Sequence, residues 1–170
     1  MIERYLIDTK PPLAKETLVA FEHRLGASLP DELRNLLLAS NGGRFQMMDF
    51  VVEVPWTNTY TVHPVHLMHI GSPKEPDLYN HLNLYGNLEP GWRGHTWPSA
   101  TLPFGTADSD YLLVDVSEAG HGAVHVWVSD LYVDDDHVDG THTLNNSVCT
   151  RQLAPSFDAF LDRFENVKLR

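Results

Sequence analysis

The sequence predicts an α+β domain: a mixed, mainly antiparallel β-sheet flanked by two N-terminal helices and one C-terminal helix. Three observations carry this expectation. Apolar residues recur at helical spacing early in the chain, alternation with period 2 takes over at about residue 45, and a helical apolar stripe returns after Pro155.

Helix one follows Pro11-Pro12 with Leu18, Phe21 and Leu25 on one face, and Gly26 provides the left-handed residue that ends it. Pro30 reads as a first-turn proline of helix two, and Asp31 and Glu32 favour the positive end of its dipole. Leu33, Leu36 and Leu37 form its apolar face before Asn41-Gly42 closes it. Phe50, Val52 and Val54 then alternate with Val51 and Glu53 in a half-buried strand stopped by Pro55. Val62 to Ile70 is a second strand candidate, interrupted by Pro64.

Tyr111 to Val116 and Ala123 to Val128 form a hairpin across the Gly-containing loop Ser117 to Gly122. Val124, Val126 and Val128 share one face, which sends Trp127 to the other, near Ala123 and His125. That second face is binding surface if open and core if a helix covers it. Gly71 to Phe104 is rich in Pro, Gly, Asn and His and reads mostly as long loop, with a short helix capped by Asp77 through Leu78, Leu82 and Tyr85. Ser156 caps the last helix, whose Phe157, Phe160, Leu161 and Phe164 follow i, i+3, i+4, i+7. No repeat or low-complexity linker divides the chain, so one domain over 1–170 is expected.

The net charge of −11 is unevenly spread. Residues 1–40 and 150–170 are nearly neutral, whereas 41–149 hold only Arg44, Lys74 and Arg93 against fourteen carboxylates and nine of the ten histidines. Such a field repels nucleic-acid phosphates and anionic lipids and steers basic partners toward it. The single cysteine, Cys149, rules out an internal disulfide and suits a reducing compartment. The N-terminus lacks a basic region followed by an apolar one, and the longest aliphatic run is Leu36 to Ala39. A cytoplasmic protein with no membrane span is the expectation.

Glu22, Leu25-Gly26, Leu29-Pro30, Leu33 and Asn41-Gly42-Gly43 resemble the N-terminal signature of the SUKH superfamily, which includes fungal cell-wall-synthesis regulators and bacterial immunity proteins. Leu102-Pro103-Phe104-Gly105, Leu112-Leu113-Val114-Asp115, Gly122-Ala123-Val124 and Leu153-Ala154-Pro155-Ser156-Phe157 resemble its later blocks in the same order. The chain departs from the pattern at Thr106 to Asp110, where members often have a Gly-rich turn. The resemblance implies a non-enzymatic domain that binds other proteins, in bacteria often a toxin. Most of the matched positions read as fold rather than function: Gly26 and Gly42 as helix stops, Leu29 and Leu33 as core.

Other constellations are weak. His63, His66 and His69 are spaced by three, which in an extended segment points consecutive members to opposite faces. Asp134-Asp135-Asp136-His137 with Asp139-Gly140 begins like a calcium loop but places His137 and Asn146 where ligand carboxylates belong. Cys149 reads as a buried thiol. No nucleophile elbow, phosphate loop or dinucleotide fingerprint is present, so neither a catalytic residue nor a cofactor is assigned. The candidate partner-binding residues are Trp92, Arg93 and Trp97 as anchors, with Asp108, Asp110, Asp134, Asp135 and Asp136 steering a basic toxin domain. A lid over the sheet is the structural alternative for the two tryptophans. A regulatory scaffold is the second reading of function, and a metal-assisted hydrolase the third.

Overall fold

A computed structural model describes residues 4–71, 82–85, 88, 97–131, 144 and 147–165. In order the chain forms β1 (Leu6–Ile7), α1 (Lys15–Leu25), α2 (Asp31–Ala39), β2 (Gly43–Phe45), β3 (Phe50–Val54), β4 (Thr57–Val62) and β5 (Pro64–Leu67). It continues through β6 (Thr101–Ala107), β7 (Asp110–Asp115), β8 (Val124–Trp127), a 3-10 turn at Ser129–Leu131, β9 (Thr150–Ala154) and α3 (Phe157–Glu165). Seven strands make one sheet in the order β1-β2-β5-β6-β7-β8-β9, and β3-β4 form a separate ribbon. All of these pairings are antiparallel; an isolated bridge from His69 to Asn83 is parallel.

The helices form where the apolar spacing puts them. α1 buries Leu18 and Phe21 and stops at Gly26, whose φ of 75° is the left-handed conformation expected there. α2 buries Leu33, Leu36 and Leu37. Pro30 stands one position earlier than predicted, as the extended residue before the helix, and its carbonyl accepts from the Arg34 N–H at 2.9 Å. Ser156 caps α3 as expected: its Oγ accepts the Ala159 N–H at 3.1 Å. Phe160 then stacks on Phe50 of the ribbon, with centroids 5.2 Å apart, and meets Phe45 and Phe104 edge-on. α3 thereby joins the ribbon to the main sheet.

The predicted hairpin is β7–β8, with Leu112 opposite Val126 and Val114 opposite Val124 on the helix-covered side. The predicted Val62 to Ile70 strand is divided: β4 ends at Val62 and β5 begins at Pro64, the strand position where a missing N–H is tolerated. β6 occupies the end of a stretch expected to be loop. Its Pro103 and Gly105 flank a register shift against β7, so residues that read as loop punctuation mark a bulge instead. The departure at Thr106 to Asp110 is the end of β6, a two-residue turn at Asp108-Ser109, and the start of β7. The short helix expected from Asp77 falls largely outside the described residues.

Candidate partner-binding surface

Alternation gives the seven-stranded sheet two unlike faces. The side bearing Leu112, Val114, Val124 and Val126 is packed by all three helices. The opposite side carries one row of registered neighbours across every strand: Ile7, Arg44, His66, Thr106, Tyr111, Trp127 and Thr150. Among the described residues no helix lies on that side. Over β7–β9 it is closed instead by a small cluster in which Leu113, Trp127 and Cys149 are buried under Trp97, Tyr111 and Leu131. Trp97 meets Tyr111 at 5.0 Å and Trp127 at 5.5 Å between ring centroids, both edge-on. Trp127 is therefore core, as a covered face requires, although the cover is an aromatic lid and not a helix. Trp97 and Tyr111 remain half-buried.

Beside this lid the face opens into a depression of about 510 Å³ lined by His66, Thr106, Asp108, Ser109, Asp110 and Tyr111. Its rim is the β6–β7 turn. Asp108 sits there exposed at a φ of 49°, in a conformation that Asp tolerates better than most residues. Asp110, two positions on, is only 3% exposed. Its Oδ2 accepts the Tyr60 hydroxyl at 2.8 Å, and its Oδ1 accepts the Ser129 N–H at 2.9 Å and the Ser129 hydroxyl at 3.0 Å. Burial pushes the Asp110 carboxyl above its ordinary value while these hydrogen bonds pull it down. Tyr60 is pushed up by burial, by its bond to Asp110 and by the charges of Asp110, Asp130 and Asp108. Three carboxylates thus bear on one corner of the sheet.

Asp108 and Asp110, paired as steering residues in the sequence, have different positions. Asp108 faces solvent, whereas Asp110 ties the ribbon and the 3-10 turn to the sheet. Trp92, Arg93, Asp134, Asp135 and Asp136 lie outside the described residues, as does nearly all of the calcium-like loop. Asp130 precedes the Asp134–Asp136 run by four positions and was missed in the sequence; its place just after a strand and before an acidic run is the only sequence signal it carries. Tyr111 was read only as strand, though its parity with Trp127 places it on the lidded face.

The three evenly spaced histidines diverge as the extended geometry requires. His63 Nδ1 lies 2.7 Å from Asp49 Oδ1, His66 Nδ1 3.3 Å from the Thr106 hydroxyl, and His69 Nδ1 3.4 Å from Lys10 Nζ. Burial lowers the His66 pKa, and the nearby charges of Arg44 and Lys10 lower it further. Among the described residues no group of three or more His, Cys, Asp or Glu is arranged to hold a metal. Cys149 is buried, with its Sγ 3.4 Å from the Leu131 carbonyl.

The model of the SMI1 / KNR4 family (SUKH-1) matches residues 12–163. The chain belongs to this family. No curated protein matches it. SUKH-1 membership supports a protein-interaction or immunity-type role in general, and the family is generally non-catalytic. The signature residues that carried the SUKH resemblance act as staples of the fold. Glu22 Oε1 accepts the Leu29 N–H at 2.8 Å and its other oxygen lies 3.5 Å from Arg34, which locks α1 to α2. The Asn41 amide pairs with both backbone groups of Ile70, at 2.8 and 2.9 Å, as a strand neighbour would. Gly42, at a φ of 99°, leaves room that a Cβ would take at 3.0 Å from the His69 Cβ. Glu22, Asn41 and Gly42 lie off the lidded face, so the N-terminal SUKH-1 signature marks the scaffold; of the later blocks, Leu113 lies beneath the lid. No helix of the described chain is long and apolar enough to cross a membrane.

Proposed function

We propose that this chain is a cytoplasmic, non-enzymatic immunity-type protein, one domain over 1–170, that neutralises a basic toxin by binding it over the lidded face and its acidic corner. The observation that carries this reading is the juxtaposition of solvent-reachable Trp97 and Tyr111 with a corner on which Asp108, Asp110 and Asp130 converge. Half-buried aromatic rings are the residue types that anchor interfaces, and a carboxylate cluster beside them raises the encounter rate with a cationic surface. Asp134 to Asp136 follow Leu131 closely in the sequence. The same charge disfavours nucleic acid and anionic membranes as partners.

The test is co-expression with the product of the adjacent gene. The reading expects the two proteins to purify together and the toxicity of the neighbour to be suppressed. It also expects Trp97→Ala to weaken the complex by about 2 kcal/mol or more, the scale of an interface anchor. A neighbour that neither binds nor harms cells contradicts the reading.

A further inference from the structure

The β3–β4 ribbon ends in a free strand edge, and we propose that an extended, basic segment of the partner protein adds to β4 as a third strand. This inference rests on the acidic-surface reading and gives that surface a backbone component. Unpaired N–H and C=O groups along an edge are a template for another strand, and proteins guard such edges by shortness, charge, proline or cover. The other described edges have such guards. β1 is two residues long. The outer sides of β9 and β3 face each other, with the Arg151 Nε donating to the Glu53 carbonyl at 2.8 Å.

β4 differs. Its six residues, Thr57–Val62, include no Lys, Arg, Asp, Glu or Pro and are rich in the residue types that favour strands. Among the described residues, no backbone group of β4 bonds outside the ribbon. A bulge opposite Val52–Val54 occupies the first part of the strand, where the Thr59 N–H and carbonyl turn onto the Thr57 hydroxyl at 3.3 and 3.1 Å. Tyr60–Val62 keep regular register with Phe50–Val52 and provide the docking length. Apolar surface borders it: Trp56 is 52% and Val51 61% exposed.

Charge selects the occupant. Tyr60, in the middle of the regular stretch, reaches Asp110, and Asp108 and Asp130 bear on the same hydroxyl. A second copy of this chain would set one net charge of −11 against another. A basic strand instead places Lys or Arg on the side of Tyr60 and β-branched residues on the side of Thr61 and Val51, which gives an alternating basic and apolar segment. Main-chain hydrogen bonds then provide affinity, and the alternate side chains provide specificity.

The probe is an acetylated and amidated eight-residue peptide of alternating Lys and Val, added to the isotopically labelled chain while backbone amide exchange is followed by NMR. The expected result is at least tenfold slower exchange of alternate amides within Thr57–Val62. The same peptide carrying N-methyl groups on alternate residues, which lacks the edge donors, is expected to lose that protection, and an alternating Glu–Val peptide to show none. Salt-sensitive binding of the Lys–Val peptide without protection of β4, or equal binding of the N-methylated form, overturns strand addition and leaves the acidic-surface reading standing. No binding of the Lys–Val peptide at low salt also overturns strand addition, and equal binding of the Glu–Val peptide overturns both. Protection of β4 that grows with protein concentration alone overturns the basic occupant in favour of a second copy.

Discussion

The two faces of the seven-stranded sheet are built from alternate residues of the same strands and have opposite characters. Leu112 and Val114 of β7 lie under three helices, in a core that also holds Phe45, Phe50, Phe104 and Phe160. Leu113, one position out of phase, lies under a lid of the half-buried Trp97, Tyr111 and Leu131. The first face is sealed by elements that the family signature staples together. The second is closed by the side chains of Trp97, Tyr111 and Leu131 and borders an acidic corner. Period 2 lets one strand serve stability with one set of residues while leaving the other set to the surface proposed for binding.

Substitutions on the two faces sharpen this comparison. Phe160→Ala removes a ring that packs against Phe45, Phe50 and Phe104 and is expected to cost about 3–5 kcal/mol in urea unfolding, with partner affinity retained by whatever fraction stays folded. A cost below about 1 kcal/mol would show that the helix-covered face is not the stabilising one. Asp110→Ala leaves three part-buried donors without their acceptor and is expected to cost about 1–3 kcal/mol. Asp110→Asn keeps one acceptor oxygen, puts an NH2 donor in place of the other and removes the buried charge. Because the Asp110 pKa is raised above 3.8 by burial, its ionisation is harder in the folded state, and stability contributed by the protonated form is lost as pH rises. Asp110→Asn should therefore gain stability relative to the parent as pH increases from about 4 to 7; a parallel pair of curves would contradict this. Trp97→Ala is expected to cost only about 1–2 kcal/mol of stability, since the residue is only partly buried, and more in binding than in folding.

The smallest effect is in pH dependence. Burial lowers the pKa of His125, opposed by Asp115, and lowers that of His66, assisted by Arg44 and Lys10. The unfolded chain takes up protons near 6.5 while the folded chain resists. Stability is thus fully present above that value and falls as the pH drops below it. The double substitution His66→Gln with His125→Gln should flatten the decline between pH 7 and 5; an unchanged slope would assign it to other groups.

Much of this arrangement was legible in the sequence because it depends on local periodicity. α1, α2, α3, β3 and the β7–β8 hairpin follow from residue spacing alone, as does the assignment of Trp127 to the second face. β1 and β2, of two and three residues, are too short to carry a period and exist because tertiary pairing holds them. β6 was hidden by Pro103 and Gly105, and β9 by its polar Thr-Arg-Gln start. At the site, Asp108 and Asp110 look alike as letters. Their separation comes from the turn: Asp108 occupies it, and Asp110, registered with Ala107, faces Tyr60 and Ser129. That register is a long-range property, because Tyr60 is 50 positions away in the chain.

The central claim is that the acidic corner steers a basic partner onto the lidded face. The most direct measurement is the association rate, by stopped flow, between the co-purified partner and a chain carrying Asp108→Asn with Asp134, Asp135 and Asp136 also changed to Asn. The account predicts association at least about tenfold slower at low ionic strength, a difference that shrinks as salt is added, and a dissociation rate that changes little. An association rate equal to that of the parent at low salt would contradict it.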